Sequence, residues 1–460
     1  MKIFNPANQE LIADVPADSP ADVARKVDQA RSAGGDWART PLELRLGAIR
    51  RFKDALVAEM DTLTGTLTAE MGKPITQARN ELGAMAGRLD FFLNETAQIL
   101  KEDVVLREGD AARPSLTEAI RHEPLGVVAN VSAWNYPYFV GSNVFVPALL
   151  TGNTVVYKPS EFATLTGQHI ARLLHAAGIP AAAFIPVVGG GDVGAALVAQ
   201  PVNGVFFTGS YATGVKIAQA VAARLVKLQL ELGGKDPTYV CDDVDAKTAA
   251  EGLADGAFYN TGQSCCSVER IYVHKNVAPA FIEAFVETVR GFKLGDPTDE
   301  ATYIGPLARA AQLEVLESQV SDALNRGAKL AIGGKRITDR KGNYFQPTVI
   351  TEARNDMRVM RDESFGPIIG IQEVANDEEA VKLMNDTEYG LTAGVYSKDR
   401  TRAEAILDRV DAGSVYWNCC DRVSPRLPWT GRRHSGIGST LSKDGIRTFL
   451  QTKAWHLRAS

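Results

Sequence analysis

Along the first hundred residues apolar side chains recur every three or four positions, the spacing of one helix face; Ile49, Phe52, Leu56 and Met60 line one such face. Ser19 and Pro20 supply an N-cap and a first-turn proline for the helix ADVARKVDQARSAG, which Gly34 is expected to close. These hundred residues therefore read as helical. From about residue 125 the rhythm changes. GVVANVSA, NTVVYKPS, AFIPVVGG and GVFFTGS are short β-rich runs with turn-forming residues at their ends. Helical patterns separate them, such as Leu165 to Ala177, followed by Gly178 and Pro180. Apolar strands alternating with helices predict a parallel, doubly wound α/β sheet, which binds ligands at the carboxyl ends of its strands. Asn135, Lys158, Ser210 and Glu231 fall at those ends.

A second α/β rhythm begins after LELGGKDPTYV. It has helices expected around 277–291 and 310–326 and strands in YFQPTVI and PIIGIQEV. The tail, KAWHLRAS, reads as a further strand able to add to a sheet edge. At 460 residues the chain is too long for one ordinary core, so two or three domains are expected.

Composition narrows the function classes. With 45% apolar and 23% charged residues the chain is a globular protein, and no apolar run is long enough to suggest a membrane partner. A net charge of −5 without a basic stripe argues against a nucleic-acid partner. MKIFNPANQE lacks the pattern of a secretory signal, so a cytoplasmic location with reduced thiols is expected. The cysteines are 241, 265, 266, 419 and 420; without C-x-x-C pairs, and with scattered histidines, no metal site is expected.

Two glycine-rich segments compete for a phosphate. Gly189, Gly191 and Gly194 fit G-x-G-x-x-G after a strand, but no acidic residue ends a following strand about twenty positions later. FTGSYATG is the stronger candidate, because Gly209 and Ser210 end a strand and open a helix, whose free N–H groups favour an anion.

Six fragments then occur in order: SAWNYP (132–137), VYKPSE (156–161), FTGS (207–210), LELGGKDP (230–237), GQSCCS (262–267) and ESFGPI (363–368). Together they resemble the aldehyde dehydrogenase superfamily along almost the whole chain. The resemblance implies two doubly wound α/β domains plus a small oligomerisation element. Residues 1–105 with 125–233 would bind NAD, 234–433 would form the catalytic domain, and 106–124 with 434–460 would assemble a homodimer or homotetramer. It also implies oxidation of a small-molecule aldehyde to a carboxylic acid. Cys265 would be the nucleophile, Asn135 an oxyanion donor with the Cys265 N–H, and Glu231 the base that releases the acyl group as acid. Glu231 inside the apolar run LQLEL invites the same reading from cost alone, since a buried unpaired carboxylate is expensive. Relatives that pass the acyl group to coenzyme A tend to lack this base.

By the same resemblance Lys158 and Glu161 hold the adenosine ribose, Gly209 and Ser210 meet the pyrophosphate, and Glu363 and Phe365 meet the nicotinamide end. Trp134, Leu232 and Gly233 complete that cofactor site. Glu161 would repel a 2′-phosphate, which favours NAD over NADP. Tyr136, Val140, Asn143, Cys266, Arg422, Arg426 and Trp429 are expected along the substrate tunnel. Arg422 and Arg426 could grip a carboxylate, as in a semialdehyde, whereas Asp421 could attract an amine.

Overall fold

The structure, a computed structural model, describes residues 1–110 and 112–459. Ala111 and Ser460, which fall in the two segments assigned to oligomerisation, lie outside the described residues. The first sheet runs in the order 436–437, 227–231, 204–208, 127–131, 154–158, 184–186. Its neighbours are parallel except for the edge strand Gly436–Ile437. Val127–Val131 and Thr154–Lys158 are buried at every position, as a sheet covered by helices on both faces requires. Strand 127–131 is followed in the chain by 154–158 on one side, while 204–208 lies on the other. Strand order therefore reverses at 127–131, and a crevice opens beyond its carboxyl end.

The second sheet has seven strands, ordered 329–332, 348–351, 368–374, 268–274, 236–240, 392–396, 414–417, and only the first is antiparallel. A third, antiparallel sheet joins 450–458, 114–124 and 103–109. The tail thus forms the expected strand within its own chain.

Several local expectations give way. The N-terminus opens with an antiparallel pair, Lys2–Phe4 with Leu11–Asp14, so the first hundred residues are not all helical. The first helix passes through Gly34 and ends at Arg39. Val23, Val27, Ala30 and Trp37 continue one buried face, and the Trp37 indole N–H donates to the Leu149 carbonyl at 3.2 Å. That anchoring outweighs about 1 kcal/mol per glycine in a helix interior. Ile49, Phe52 and Leu56 do share a buried face, but the helix stops at Ala58 and Met60 starts the next. Residues 434–460 also divide: Gly436–Ile437 belongs to the first sheet, beside Leu230 and Glu231, and only 450–458 joins the outlying sheet.

Candidate active site

Most expected site residues sit just beyond a strand end of the first sheet or in loops that border the second sheet, whereas Val140 and Asn143 lie on helix Pro137–Leu150. After strand 127–131 the chain turns through Trp134–Tyr136 into helix Pro137–Leu150. A buried ion pair anchors that turn. Lys73 Nζ lies 2.5 Å from Glu81 Oε2, neither side chain exposed, and Glu81 Oε1 accepts from the N–H groups of Tyr138 (3.0 Å) and Phe139 (3.4 Å). The carboxylate therefore satisfies the helix N-terminus as well as the ammonium, which offsets the cost of burying both. Lys73 also lies 3.7 Å from the Tyr136 ring centroid.

The loop that carries the cysteine pair is equally constrained. Asn260 and Thr261 have φ of 55° and 59°, and a Cβ on Gly262 (φ 71°) would stand 2.3 Å from the Gly366 carbonyl oxygen. The Asn260 amide donates to the carbonyls of Asn135 and Gln263, at 3.2 and 3.0 Å. The Asn135 amide donates to the same Gln263 carbonyl at 3.1 Å, which uses one of its two N–H donors two residues before Cys265.

The two cysteines differ sharply. Cys265 is partly exposed to a cavity of about 600 Å³. Cys266 is buried, and its thiol donates to Asp421 Oδ1 at 2.8 Å. The neighbouring Cys265 thiol, burial and the Asp421 carboxylate together push the Cys266 thiol well above its ordinary range. It therefore stays protonated and is a poor nucleophile.

Glu231 ends strand 227–231 and is buried, which pushes its carboxyl up to about 7. Its Oε1 accepts from Gln229 Nε2 at 3.0 Å and from the Thr440 hydroxyl. Asn135, Tyr136, Val140, Asn143, Glu231, Cys265, Cys266, Arg422, Arg426 and Trp429 all line the one cavity. Arg422 and Arg426 are exposed at its rim, whereas Trp429 is buried. Asp421, also lining it, is pushed up to about 6, mainly by burial.

Sequence patterning alone does not find the opposite wall. Gln77, Asn80, Glu81, Ala84 and Arg88 of helix Ile75–Ile99 face the cavity at spacings of three, four and seven residues. Arg88 is buried, donates to Asn143 Oδ1 at 2.5 Å, and packs 4.3 Å from the Phe139 ring. Burial pulls its guanidinium down to about 10. The shared helix face of Gln77, Glu81, Ala84 and Arg88 is the signal that could have revealed it, but further polar residues such as Arg79, Asp90 and Glu95 on the same helix mask it.

On the other side of Cys265 lie the expected cofactor residues. Lys158 ends strand 154–158, donates to the Pro159 carbonyl at 3.2 Å and stands 3.9 Å from Glu161. Gly194 of the glycine motif packs beneath it, where a Cβ would lie 3.4 Å from Lys158 Cδ. Ser210 N-caps helix Tyr211–Val221, but the Gly209 N–H donates to the Glu231 carbonyl at 3.0 Å. Gly209 therefore has no N–H to offer an anion, and the open helix end begins beyond Ser210.

Glu363 Oε1 accepts from the Gly234 N–H at 3.1 Å, and a Cβ on Gly233 would stand 2.4 Å from the carboxyl oxygens. Burial, then the nearby Glu269, pushes Glu363 up to about 7. Phe365, at φ 46°, packs edge-on to Trp134 with centroids 5.5 Å apart. The buried Glu269 holds this turn, accepting from Lys235 Nζ at 2.5 Å and from the N–H groups of Ser364 and Phe365 at 2.9 Å each. The glycines beside Glu363 and the lysine–glutamate pair at the switch point suit a dinucleotide with two ribose units.

The profile of the Aldehyde dehydrogenase family matches residues 1–455. The chain belongs to that family. It is 35% identical over 462 residues to a chloroplastic aminoaldehyde dehydrogenase of Arabidopsis thaliana, covering 98% of this chain and 91% of that one. It superposes on an NAD-dependent aldehyde dehydrogenase from Sinorhizobium meliloti with a TM-score of 0.95 and 34% identity, covering 99% of this chain and 91% of the other. An NADP-dependent enzyme of E. coli matches with a TM-score of 0.95 and 30% identity, over 100% and 94%. The α/β architecture and the function, aldehyde oxidation with a nicotinamide cofactor, are those of the aldehyde dehydrogenases.

Proposed function

We propose that this chain oxidises an aldehyde bearing a cationic group, an aminoaldehyde, to the free carboxylic acid with NAD as acceptor. The carrying observation is that Cys265, Asn135 and Glu231 line the same cavity as the Asp421 carboxylate. The Cys265 thiolate adds to the aldehyde carbon, and the second Asn135 amide N–H with the Cys265 N–H receives the oxyanion. When bound, the nicotinamide supplies the hydride acceptor. Hydride loss leaves a thioester on Cys265, and the Glu231 carboxylate takes a proton from the water that attacks it. Glu231 favours hydrolysis over transfer to coenzyme A.

Asp421 faces inward while Arg422 and Arg426 are exposed, which favours an amine over a second carboxylate at the far end of the substrate. The ring of Tyr259 in the same lining suits a cation as well, whereas that of Tyr136 already holds Lys73. The aminoaldehyde activity of the Arabidopsis relative points the same way. Glu161, 3.9 Å from Lys158, favours NAD over NADP through its like charge with a 2′-phosphate. Exposed Val105 and Leu457 on the outlying sheet favour a homodimer or homotetramer, and five free cysteines suit a reducing, cytoplasmic setting.

NADH absorbance with amino-, carboxy-, aromatic and aliphatic aldehydes, with and without coenzyme A, tests this. The highest kcat/KM is expected for an aminoaldehyde, with no effect of coenzyme A. A rate that requires coenzyme A would overturn the hydrolytic assignment, and equal kcat/KM for a carboxy-aldehyde of the same length would overturn the amine assignment.

A further inference from the structure

The geometry points to Thr440 and Gln229 as positioning residues that dock one oxygen of Glu231 and leave the other for the hydrolytic water. This rests on Glu231 being the base. Both donors, the Thr440 hydroxyl and Gln229 Nε2, converge on Oε1. Oε2 has no protein partner among the described residues, and Glu231 lines the cavity that contains Cys265. A carboxylate held by one oxygen keeps its orientation while its second oxygen still accepts a proton. Without the dock, a glutamate side chain at a strand end samples several rotamers, and only some present an oxygen to the thioester.

The surrounding backbone is built to bring the two donors in. Gly436 pairs with Glu231 in the sheet, so segment 436–440 starts directly beside the strand that carries the base. Gly438 has φ 82°, and a Cβ there would stand 2.9 Å from Gln229 Cγ. Thr440 is fixed from the other side by paired backbone bonds with Trp429, N–H to carbonyl at 3.0 Å and the reverse at 2.8 Å. Trp429 itself lines the cavity, so these bonds tie the dock to the cavity wall. Gly445 lets the following turn close, since a Cβ there would lie 2.5 Å from the Thr440 carbonyl carbon.

The step served is deacylation. Water gives one proton to Glu231 Oε2, and the remaining hydroxide forms a C–O bond to the acyl carbon. The C–S bond then breaks, Cys265 leaves as thiolate with the electron pair, and the carboxylic acid departs. Glu231 returns its proton to solvent.

Acetyl transfer from p-nitrophenyl acetate isolates this step, because nitrophenolate release reports acylation of Cys265 and steady turnover reports deacylation, with no cofactor present. Thr440→Val keeps the shape of the side chain and removes the donor. It should slow steady turnover by about 10- to 100-fold, the worth of a hydrogen bond to a charged group, while the burst rate stays at the parent value. Thr440→Ser should restore turnover to within about threefold, and Gln229→Met, with its separate donor, should slow turnover alone by a smaller factor. Parent-like turnover in both Thr440→Val and Gln229→Met, or an equal loss of burst rate and turnover, would overturn the dock. Glu231→Gln separates the two ideas: parent-like turnover in that variant removes the base itself, whereas its loss beside an intact Thr440→Val removes only the dock.

Discussion

The Cys266 thiol donates to Asp421 Oδ1 at 2.8 Å, tying the residue after the nucleophile to the acidic side chain of the cavity. The bond explains how adjacent cysteines take different roles. Held as a protonated donor, Cys266 stabilises a carboxylate, while Cys265 opens on the cavity. Cys265→Ala should lower NADH formation by at least about 1,000-fold, and Cys266→Ala by no more than about tenfold. Mass spectrometry of enzyme quenched during turnover should find the acyl group on Cys265 in the Cys266→Ala variant as in the parent.

Asp421→Asn tests recognition of the cation without changing the shape of the cavity. KM for an aminoaldehyde should rise by about 10- to 100-fold and kcat should change little, because the lost contact is made equally in the ground and transition states. A neutral aldehyde of the same length should be unaffected or improved. Parallel steady-state kinetics on the two substrates read the difference.

Burial pushes Glu231 up to about 7, so the base form grows as pH rises through that value. Where deacylation limits turnover, kcat should fall by about tenfold for each pH unit below about 7 and level off above it. Glu231→Gln should remove this limb and accumulate the acyl-enzyme, seen as a burst of NADH near one equivalent per site.

Replacing Glu161 with Ser removes the charge beside Lys158. The ratio of kcat/KM for NADP to that for NAD should rise by at least about tenfold, the equivalent of one lost like-charge repulsion. An unchanged ratio would place the ribose recognition elsewhere.

Glu70 offers a test of stability away from the chemistry. Its buried carboxyl accepts from the Leu165 and Thr166 N–H groups at the start of helix Thr164–Ala176, and burial pushes it up to about 7. A folded-state value above the unfolded one means that stability present below about pH 4.3 is lost as pH rises toward about 7, at up to about 1.4 kcal/mol per unit. The stability difference between Glu70→Gln and the parent should therefore move in favour of the variant from about pH 5 to 7 and flatten above about 8. Urea unfolding at each pH measures it.

Much of the first sheet was legible because a buried parallel strand leaves a continuous apolar run, and a residue such as Glu231 stands out against it. Helix ends were less so. Gly34 reads as a stop on local grounds, yet a Cβ there would meet nothing within 4 Å and Trp37, beyond it, is anchored on Leu149. Long-range packing decided that boundary. Lys73, Glu81 and Arg88 were missed because Lys73 looks like an ordinary turn charge, and Glu81 and Arg88 like helix-surface charges, until helix 75–99 is packed against helix 137–150.

By itself the amino-acid order determined the two α/β rhythms and the local motifs holding Asn135, Glu231 and Cys265, because strand ends and tight turns are written in consecutive residues. Only the tertiary structure decided what surrounds them. It brought Thr440 from 209 positions away to Glu231, set Asp421 against Cys266 across 155 positions, and turned Arg88 inward beside Asn143. Burial and hydrogen bonding, which set the protonation and orientation of these groups, depend on neighbours distant in the chain, and no local pattern encodes those neighbours.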